Sequence, residues 1–239
     1  MSEYLRKEKI FKIKTIILQI IIVLGFLITW ELLSKYKIIN SFIFSSPLLI
    51  VKTIINLFKE NNLLNHVFIT IYETIIAFSL GLILGFIISI LLYSSKLLAK
   101  VFDPFLTLLN SLPKVALGPI LIIWTGANMK SIIFMALLIN LIVNIITIYN
   151  GFNSTSQNRI KLLKSFKATK YEILKKVVIP SNIKTIISSL KLNISMSLIG
   201  VIMGEFLVSK EGIGYLIMYG SQVFNLNLVI SGIIILIII

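Results

Sequence analysis

The residues able to do chemistry in this chain are few, and most stand inside or beside long apolar runs. One histidine, His66, has no acidic or cysteine neighbour in sequence, and a lone imidazole of that kind is expected at the surface and not as a ligand. Glu31, Glu73 and Glu205 are carboxylates at or near apolar stretches, where an ionisable group must be paired, protonated or turned to water. Glu31 is expected to snorkel outward, and Glu73 to have a structural partner about a turn from the outer interface. There is no Gly-x-x-x-x-Gly-Lys-Ser/Thr loop, no His-Glu-x-x-His and no carboxylate pair near the histidine, so neither ATP hydrolysis nor zinc-assisted hydrolysis has its residues here. With no cysteine in the chain, disulfides and thiolate metal sites are excluded as well.

What remains is the chemistry of a conduit or of a helix contact. Asn193, Ser197, Gly200 and Gly204 recur at i, i+4, i+7 and i+11, and Glu205 closes the series. This polar, small face either packs a neighbouring helix or lines a pathway. Pro113 and Pro119, with Gly118 between them, interrupt another apolar run. A doubly broken spanning helix frees carbonyls that protein or water must satisfy, which makes Pro113 a pathway candidate. Asn140 and Asn144, one turn apart, are placed to donate hydrogen bonds between helices.

These residues need a membrane framework to position them. Of 239 residues, 57% are hydrophobic, above the roughly half-apolar mixture of soluble domains. The expected fold is all-α: one polytopic membrane helical bundle over residues 1–239, with spans near 15–33, 68–93, 105–124, 131–149, 183–208 and 224–239. The first span lacks the short apolar core and the cleavage site of a signal peptide. Lys96, Lys100 and Asp103 mark a short inner loop. Ala77, Gly81, Gly85 and Ser89 form a small-residue stripe for close helix packing. Between the first two spans, Ser46 caps and Pro47 opens a helix with Leu48, Val51, Ile54, Ile55 and Phe58 on one face, suited to lie on the outer surface. Gly212-Ile213-Gly214-Tyr215 reads as a flexible outer turn or a short re-entrant piece. A last span stopping at Ile239 gives about 24 Å, less than the ~30 Å hydrocarbon core, so the C-terminus is expected to be truncated.

The net charge of +14 does not point to nucleic acid. Only Arg6 and Arg159 are arginines, and the lysines follow the membrane rule instead. Fourteen basic residues fall in the stretches assigned to the inside and six in those assigned outside, which places the N-terminus in the cytoplasm.

The largest basic, non-spanning segment is 154–180. Ser154 with Gln157, and Thr169 with Glu172, are capping-box pairs that predict two short helices, broken near Lys167 and Ala168 and stopped by Pro180. Such an elbow is a docking element.

This segment resembles the cytoplasmic loop of binding-protein-dependent ABC importer permeases. Their pattern of Glu-Ala-Ala, three residues, Gly, nine residues and Ile-x-Leu-Pro falls on Lys161, Leu162, Leu163, Lys167, Val177, Ile179 and Pro180. Lys161 stands where the family has Glu, and Lys167 where it has Gly. An ordered series extends the resemblance over about residues 25–235: Trp30-Glu31, Ser46-Pro47, Glu73-Thr74, Asp103-Pro104, Leu112-Pro113, Gly118-Pro119, Trp124-Thr125-Gly126, Gly204-Glu205-Phe206 and Gly212-Ile213-Gly214-Tyr215. The series is similar to the nitrate, sulfonate and taurine branch of these permeases, whose fold is MetI-like.

The resemblance implies a non-catalytic transport subunit in a bacterial cell membrane. Two copies of a cytoplasmic ABC ATPase, which bind the ATP and Mg, would act on Lys161, Leu162, Leu163, Phe166, Lys167, Ala168 and Pro180. An extracytoplasmic solute-binding protein would deliver a sulfonate, taurine, nitrate or thiamine-precursor-like solute to a permease homodimer. No cofactor is expected in this chain. The competing readings are an integral membrane enzyme acting on lipid and a non-coupling membrane channel.

Overall fold

The computed structural model describes residues 2–60 and 62–239. Every regular element among the described residues is helical. Among the described residues four helices are long and apolar enough to cross a membrane: α1 (Ser2–Lys35), α4 (Asn62–Ser94), α7 (Met129–Asn153) and α11 (Ile183–Val208). A fifth crossing is available to a bent pair, α5 (Lys96–Ser111) followed by a 3-10 turn (Lys114–Leu117) and α6 (Gly118–Thr125), whose two arms meet at 89°. Short helices complete the chain: α2 (Ser41–Phe44), α3 (Pro47–Lys59), α8 (Gln157–Ser165), α9 (Lys170–Ile173), α10 (Ile179–Ser181), α12 (Ile213–Gln222) and α13 (Leu226–Ile238).

Two compact units result. One holds the residues up to Leu64 together with Leu216–Ile239. In it no residue of the most apolar stretch of α1 is buried inside the chain, as suits a helix surrounded by lipid. Ser46 Oγ accepts the Leu49 N–H at 3.4 Å and Pro47 opens α3, as its sequence predicts. The Glu31 carboxylate accepts the Leu48 N–H at 3.0 Å. Glu31 therefore does not snorkel: it satisfies an orphan donor in the first turn of α3, where a negative charge is favoured by the helix dipole. Only Ile50 of α3 is buried, beneath Ser231 of α13, whose hydroxyl reaches the Ile50 carbonyl at 3.5 Å. Leu48, Val51, Ile55 and Phe58 stay exposed as one apolar face.

The other unit, Asn65–Tyr215, holds α7 and α11 packed along their length. A side chain at Gly200 would collide with the backbone of Ala136, and one at Gly204 would lie 2.9 Å from Ile132 Cα. Further along the same stripe of α7, Asn140 Nδ2 donates to the Ala77 carbonyl at 2.9 Å and Asn144 Nδ2 to the Gly81 carbonyl at 2.8 Å, occupying the room left by Gly81 and Gly85. Ser89 Oγ donates to Ile145 O at 3.1 Å. In lipid, where apolar helices gain little by leaving their solvent, such close approach and each interhelical hydrogen bond, about 0.6 kcal/mol, hold the bundle.

The stretch from Lys96 to Asp103, expected as a loop, is helical, and the single span expected over 105–124 is an angular pair. Lys96, Lys100 and Asp103 fall at i, i+4 and i+7, so the charges that read as a loop are one face of an amphipathic helix. Ser95 caps it by accepting the Leu98 N–H at 3.3 Å. The chain turns at Leu112–Pro113, where α5 ends with extended backbone.

Candidate functional site

The elbow between α7 and α11 has an anchored face and an open face. Ile160 of α8, Ile173 of α9 and the following Leu174 and Val178 are buried together with Ile148 and Phe152 at the end of α7. Phe86, Ile90 and Tyr93 of α4 pack against this cluster, as do Leu163 and Ala168. The base is tied as well: Asn182 Nδ2 donates to Thr155 Oγ1 at 2.8 Å and to Val178 O at 2.8 Å, and Arg159 donates to Ser181 Oγ at 3.2 Å. On the open face, Leu162 is 59% and Phe166 74% exposed, one helical turn apart, with Lys161 and Lys167 beside them. Of the seven residues assigned to coupling, Lys161, Leu162, Phe166, Lys167 and Pro180 are exposed, whereas Leu163 and Ala168 face the core.

The break between the two short helices lies where the sequence places it. Lys167 has φ +60°, the Lys167 N–H reaches Lys164 O at 2.9 Å and the Ala168 N–H reaches Leu163 O at 3.1 Å. This is a Schellman ending with lysine at the position that glycine usually takes. A left-handed backbone costs a side-chain-bearing residue roughly 1–2 kcal/mol, and the packing of both Leu163 and Ala168 against the buried cluster helps to hold it. Thr169 and Glu172 form their capping box: the Thr169 N–H donates to Glu172 Oε2 at 2.8 Å and the Glu172 N–H to Thr169 Oγ1 at 3.3 Å. The Thr169 N–H, then the Thr169 hydroxyl and Lys176 at 3.8 Å, hold the Glu172 carboxyl below the usual glutamate range.

Two expectations about the elbow are corrected. Ser154 does not cap α8: its hydroxyl donates to Gly151 O at 2.7 Å as α7 ends, and the residue before α8 is Ser156, whose side chain makes no cap bond. Pro180 does not stop the second helix. A π-helical turn over Leu174–Val178 leads into α10, where Pro180 occupies an initial position that needs no N–H, and the helical run passes through it to Ser181.

A second constellation lies away from the elbow, among α4, α11 and the start of α12. Glu73 and Glu205 are each 1% exposed and lie against one another. Thr70 Oγ1 donates to Glu205 Oε1 at 2.7 Å and accepts the Ile213 N–H at 2.8 Å. Glu205 Oε2 accepts the Gly214 N–H at 2.5 Å, and His66 Nδ1 accepts the Gly212 N–H at 2.9 Å. Three successive N–H groups leading into α12 are thus satisfied by side chains from other helices. Gly212, at φ +100°, supplies the turn that aims them inward. The stretch expected as a flexible outer turn or a short re-entrant piece is therefore held by three side-chain hydrogen bonds, and His66, expected at the surface, is a buried acceptor, 8% exposed. Sequence reasoning missed His66 and Thr70. Their signal was spacing, because His66, Thr70 and Glu73 continue the stripe of Ala77, Gly81, Gly85 and Ser89 along one face of α4.

The face made by Asn193, Ser197, Gly200, Gly204 and Glu205 is open to two readings in sequence, helix packing and a conduit, and in this structure it packs. All five are buried. Ser197 accepts from Asn140 Nδ2 at 2.6 Å, the two glycines admit α7, and Glu205 holds α12. Pro113, by contrast, is exposed at the bend, and Lys114 beside it donates to Asn110 O at 3.1 Å.

Residues 77–239 match the family described as binding-protein-dependent transport system inner membrane component. A Haemophilus influenzae protein named as an ABC transporter permease is 29% identical over 212 residues, 88% of this chain and 85% of that protein. An aliphatic sulfonates transport permease of Bacillus subtilis is 28% identical over 206 residues, 86% and 75%. A formylaminopyrimidine transport permease of Halalkalibacterium halodurans is 26% identical over 189 residues, 79% and 75%. Among solved structures, an inward-facing MetNI methionine ABC transporter chain superposes with a TM-score of 0.62 over 74% of this chain and 90% of that one; at 17% identity the likeness is one of fold.

Proposed function

Because this chain belongs to the family of binding-protein-dependent transport system inner membrane components, and so is a multi-pass membrane permease subunit of an ABC importer, we propose that its open elbow face is where a separate ATPase delivers the energy of ATP. The observation that carries this reading is the two-sidedness of the elbow. Leu162 and Phe166 offer an apolar pair to a partner, while Ile160, Ile173 and Val178 fasten the opposite face to the ends of the spans. A push on the first face reaches the second. Two packings of the bundle within a few kcal/mol would then be biased by what binds on each side.

The cargo is a small solute of the kind named for the relatives, an aliphatic sulfonate, taurine or a formylaminopyrimidine, handed over by an external binding protein. ATP and Mg are held by two ATPase copies, and two copies of this chain enclose the pathway. Pro113, exposed at the bent pair, is the pathway residue retained from the sequence. The N-terminus lies in the cytoplasm, on the side where the basic residues gather.

Copurification with an ABC ATPase from native membranes, together with uptake of labelled taurine and alkanesulfonates by cells lacking other importers, tests this. Wild-type chain brings down the ATPase and supports uptake. Phe166→Asp and Leu162→Asp lose both while keeping their amount in the membrane. An ATPase that copurifies equally with both variants contradicts the elbow's assignment.

A further inference from the structure

We propose that a basic cleft at the foot of α4 and α7 binds the phosphate headgroup of an anionic membrane lipid. The cleft has a volume of about 720 Å³, and Lys96, Lys164 and Lys170 line it together with Tyr93 and Tyr149. An adjoining hollow of about 330 Å³, sharing Lys96 and Tyr149, adds Lys100 and the only carboxylate on this wall, Asp103. None of the four lysines makes an ion pair among the described residues.

Backbone charge has the same sign. Helices α5 and α8 begin at the rim, at Lys96 and Gln157, and the start of a helix carries partial positive charge. The side chain of Ser156 leaves the first N–H groups of α8 without a side-chain cap. A diester phosphate is the anion that suits these donors. The site has no arginine fork to grip a small free anion in two directions; its lysines are separate point charges on different helices.

The lipid source follows from position. The cleft opens where α4 ends at Ser94 and α7 at Asn153, that is, where two spans leave the hydrocarbon. Its floor is apolar, formed by Leu92, Ile173 and Leu174. Tyrosines at this depth are typical of the membrane interface, and basic pockets between spans on the cytoplasmic side are where anionic headgroups are held. Lys161, Leu162 and Phe166, the open face of the elbow, are not among its lining residues. An occupant would bridge α5 and the elbow, so lipid composition would stiffen or loosen the lever. The inference rests on the membrane reading and on the cytoplasmic side proposed above for the elbow, and is independent of the cargo and of the ATPase contact.

Native mass spectrometry of the full chain, released from mixed vesicles of phosphatidylglycerol and phosphatidylcholine with the same acyl chains, tests it. Wild-type retains phosphatidylglycerol over phosphatidylcholine. Each headgroup-facing lysine contributes on the order of fivefold, so Lys164→Gln and Lys170→Gln singly lower the preference about that much and the triple variant with Lys96→Gln abolishes it. Lys52→Gln/Lys59→Gln on α3 leaves it unchanged. Because the single substitutions are at exposed side chains, they keep the proposal decidable should the triple variant not fold. Equal retention of the two lipids, or a preference unaffected by the single variants, overturns the proposal. Displacement of the lipid by excess inorganic phosphate assigns the cleft to a free anion, and displacement by purified ATPase assigns it to protein docking; either result overturns it too.

Discussion

The N–H of Ala168 donates to the carbonyl of Leu163 at 3.1 Å, closing the end of α8 across Lys167, whose φ is +60°. A lysine therefore performs the backbone task that the family pattern gives to glycine. The cost of the left-handed conformation, roughly 1–2 kcal/mol, exceeds the 0.4–1 kcal/mol or so that a side chain returns by restricting the unfolded chain. Lys167→Gly is expected to stabilise the turn by about 0.5 kcal/mol, and Lys167→Val, β-branched at positive φ, to destabilise it further. Amide hydrogen exchange at Lys167 and Ala168 checks this: protection should rise in the first variant and fall in the second.

Glu172 supplies the pH dependence of the elbow. The Thr169 N–H first, then its hydroxyl and Lys176, hold its carboxyl below the usual glutamate range. A folded value below the unfolded one means that the contribution is complete above the ordinary glutamate range and is lost as pH falls through the lowered folded value. A carboxyl titration followed by NMR should place the Glu172 midpoint below that of an ordinary exposed glutamate, and Thr169→Val should return it upward. An ordinary midpoint in the wild-type protein would show that the capping box is not formed.

The joint before α12 is predicted to be a rigid element. Thr70→Val removes both the donor to Glu205 and the acceptor for Ile213, leaving a buried N–H unpaired at about 1–3 kcal/mol. Thr70→Ser keeps both. Thermal unfolding in detergent should show a midpoint several degrees lower for valine and little changed for serine.

Gly200 and Gly204 face α7, whereas Gly25 on α1 has open space around its would-be side chain. Gly200→Leu should force the α7–α11 contact apart and reduce the folded yield severalfold, on the scale of an overpacked core. Gly25→Leu should leave it unchanged, and fluorescence-detected size exclusion separates the two outcomes.

Much of the scaffold is legible from local pattern. The break at Lys167 follows from the Thr169–Glu172 capping box and the family spacing, and the α4 stripe with Asn140 and Asn144 announces close helix packing. What sequence does not disclose is long-range pairing. His66 and Gly212 are 146 residues apart, Thr70 and Ile213 143, and neither end carries a mark of the other. Glu31 serves the first turn of α3 only because the chain folds back at 36–46. The polar face of α11 left packing and conduit equally possible, and the close approach of Ala136 and Ile132 to its glycines shows packing.

The central claim is that the open face of the elbow meets the ATPase, and the absence of any natural cysteine makes it directly measurable. Phe166→Cys and, on α3, Phe58→Cys each introduce a single thiol into the assembled transporter, to be treated with a short thiol-to-amine crosslinker in native membranes. The account predicts an adduct of this chain with the ATPase from Phe166→Cys and none from Phe58→Cys. An ATPase adduct absent at position 166, or formed equally at position 58, would contradict it.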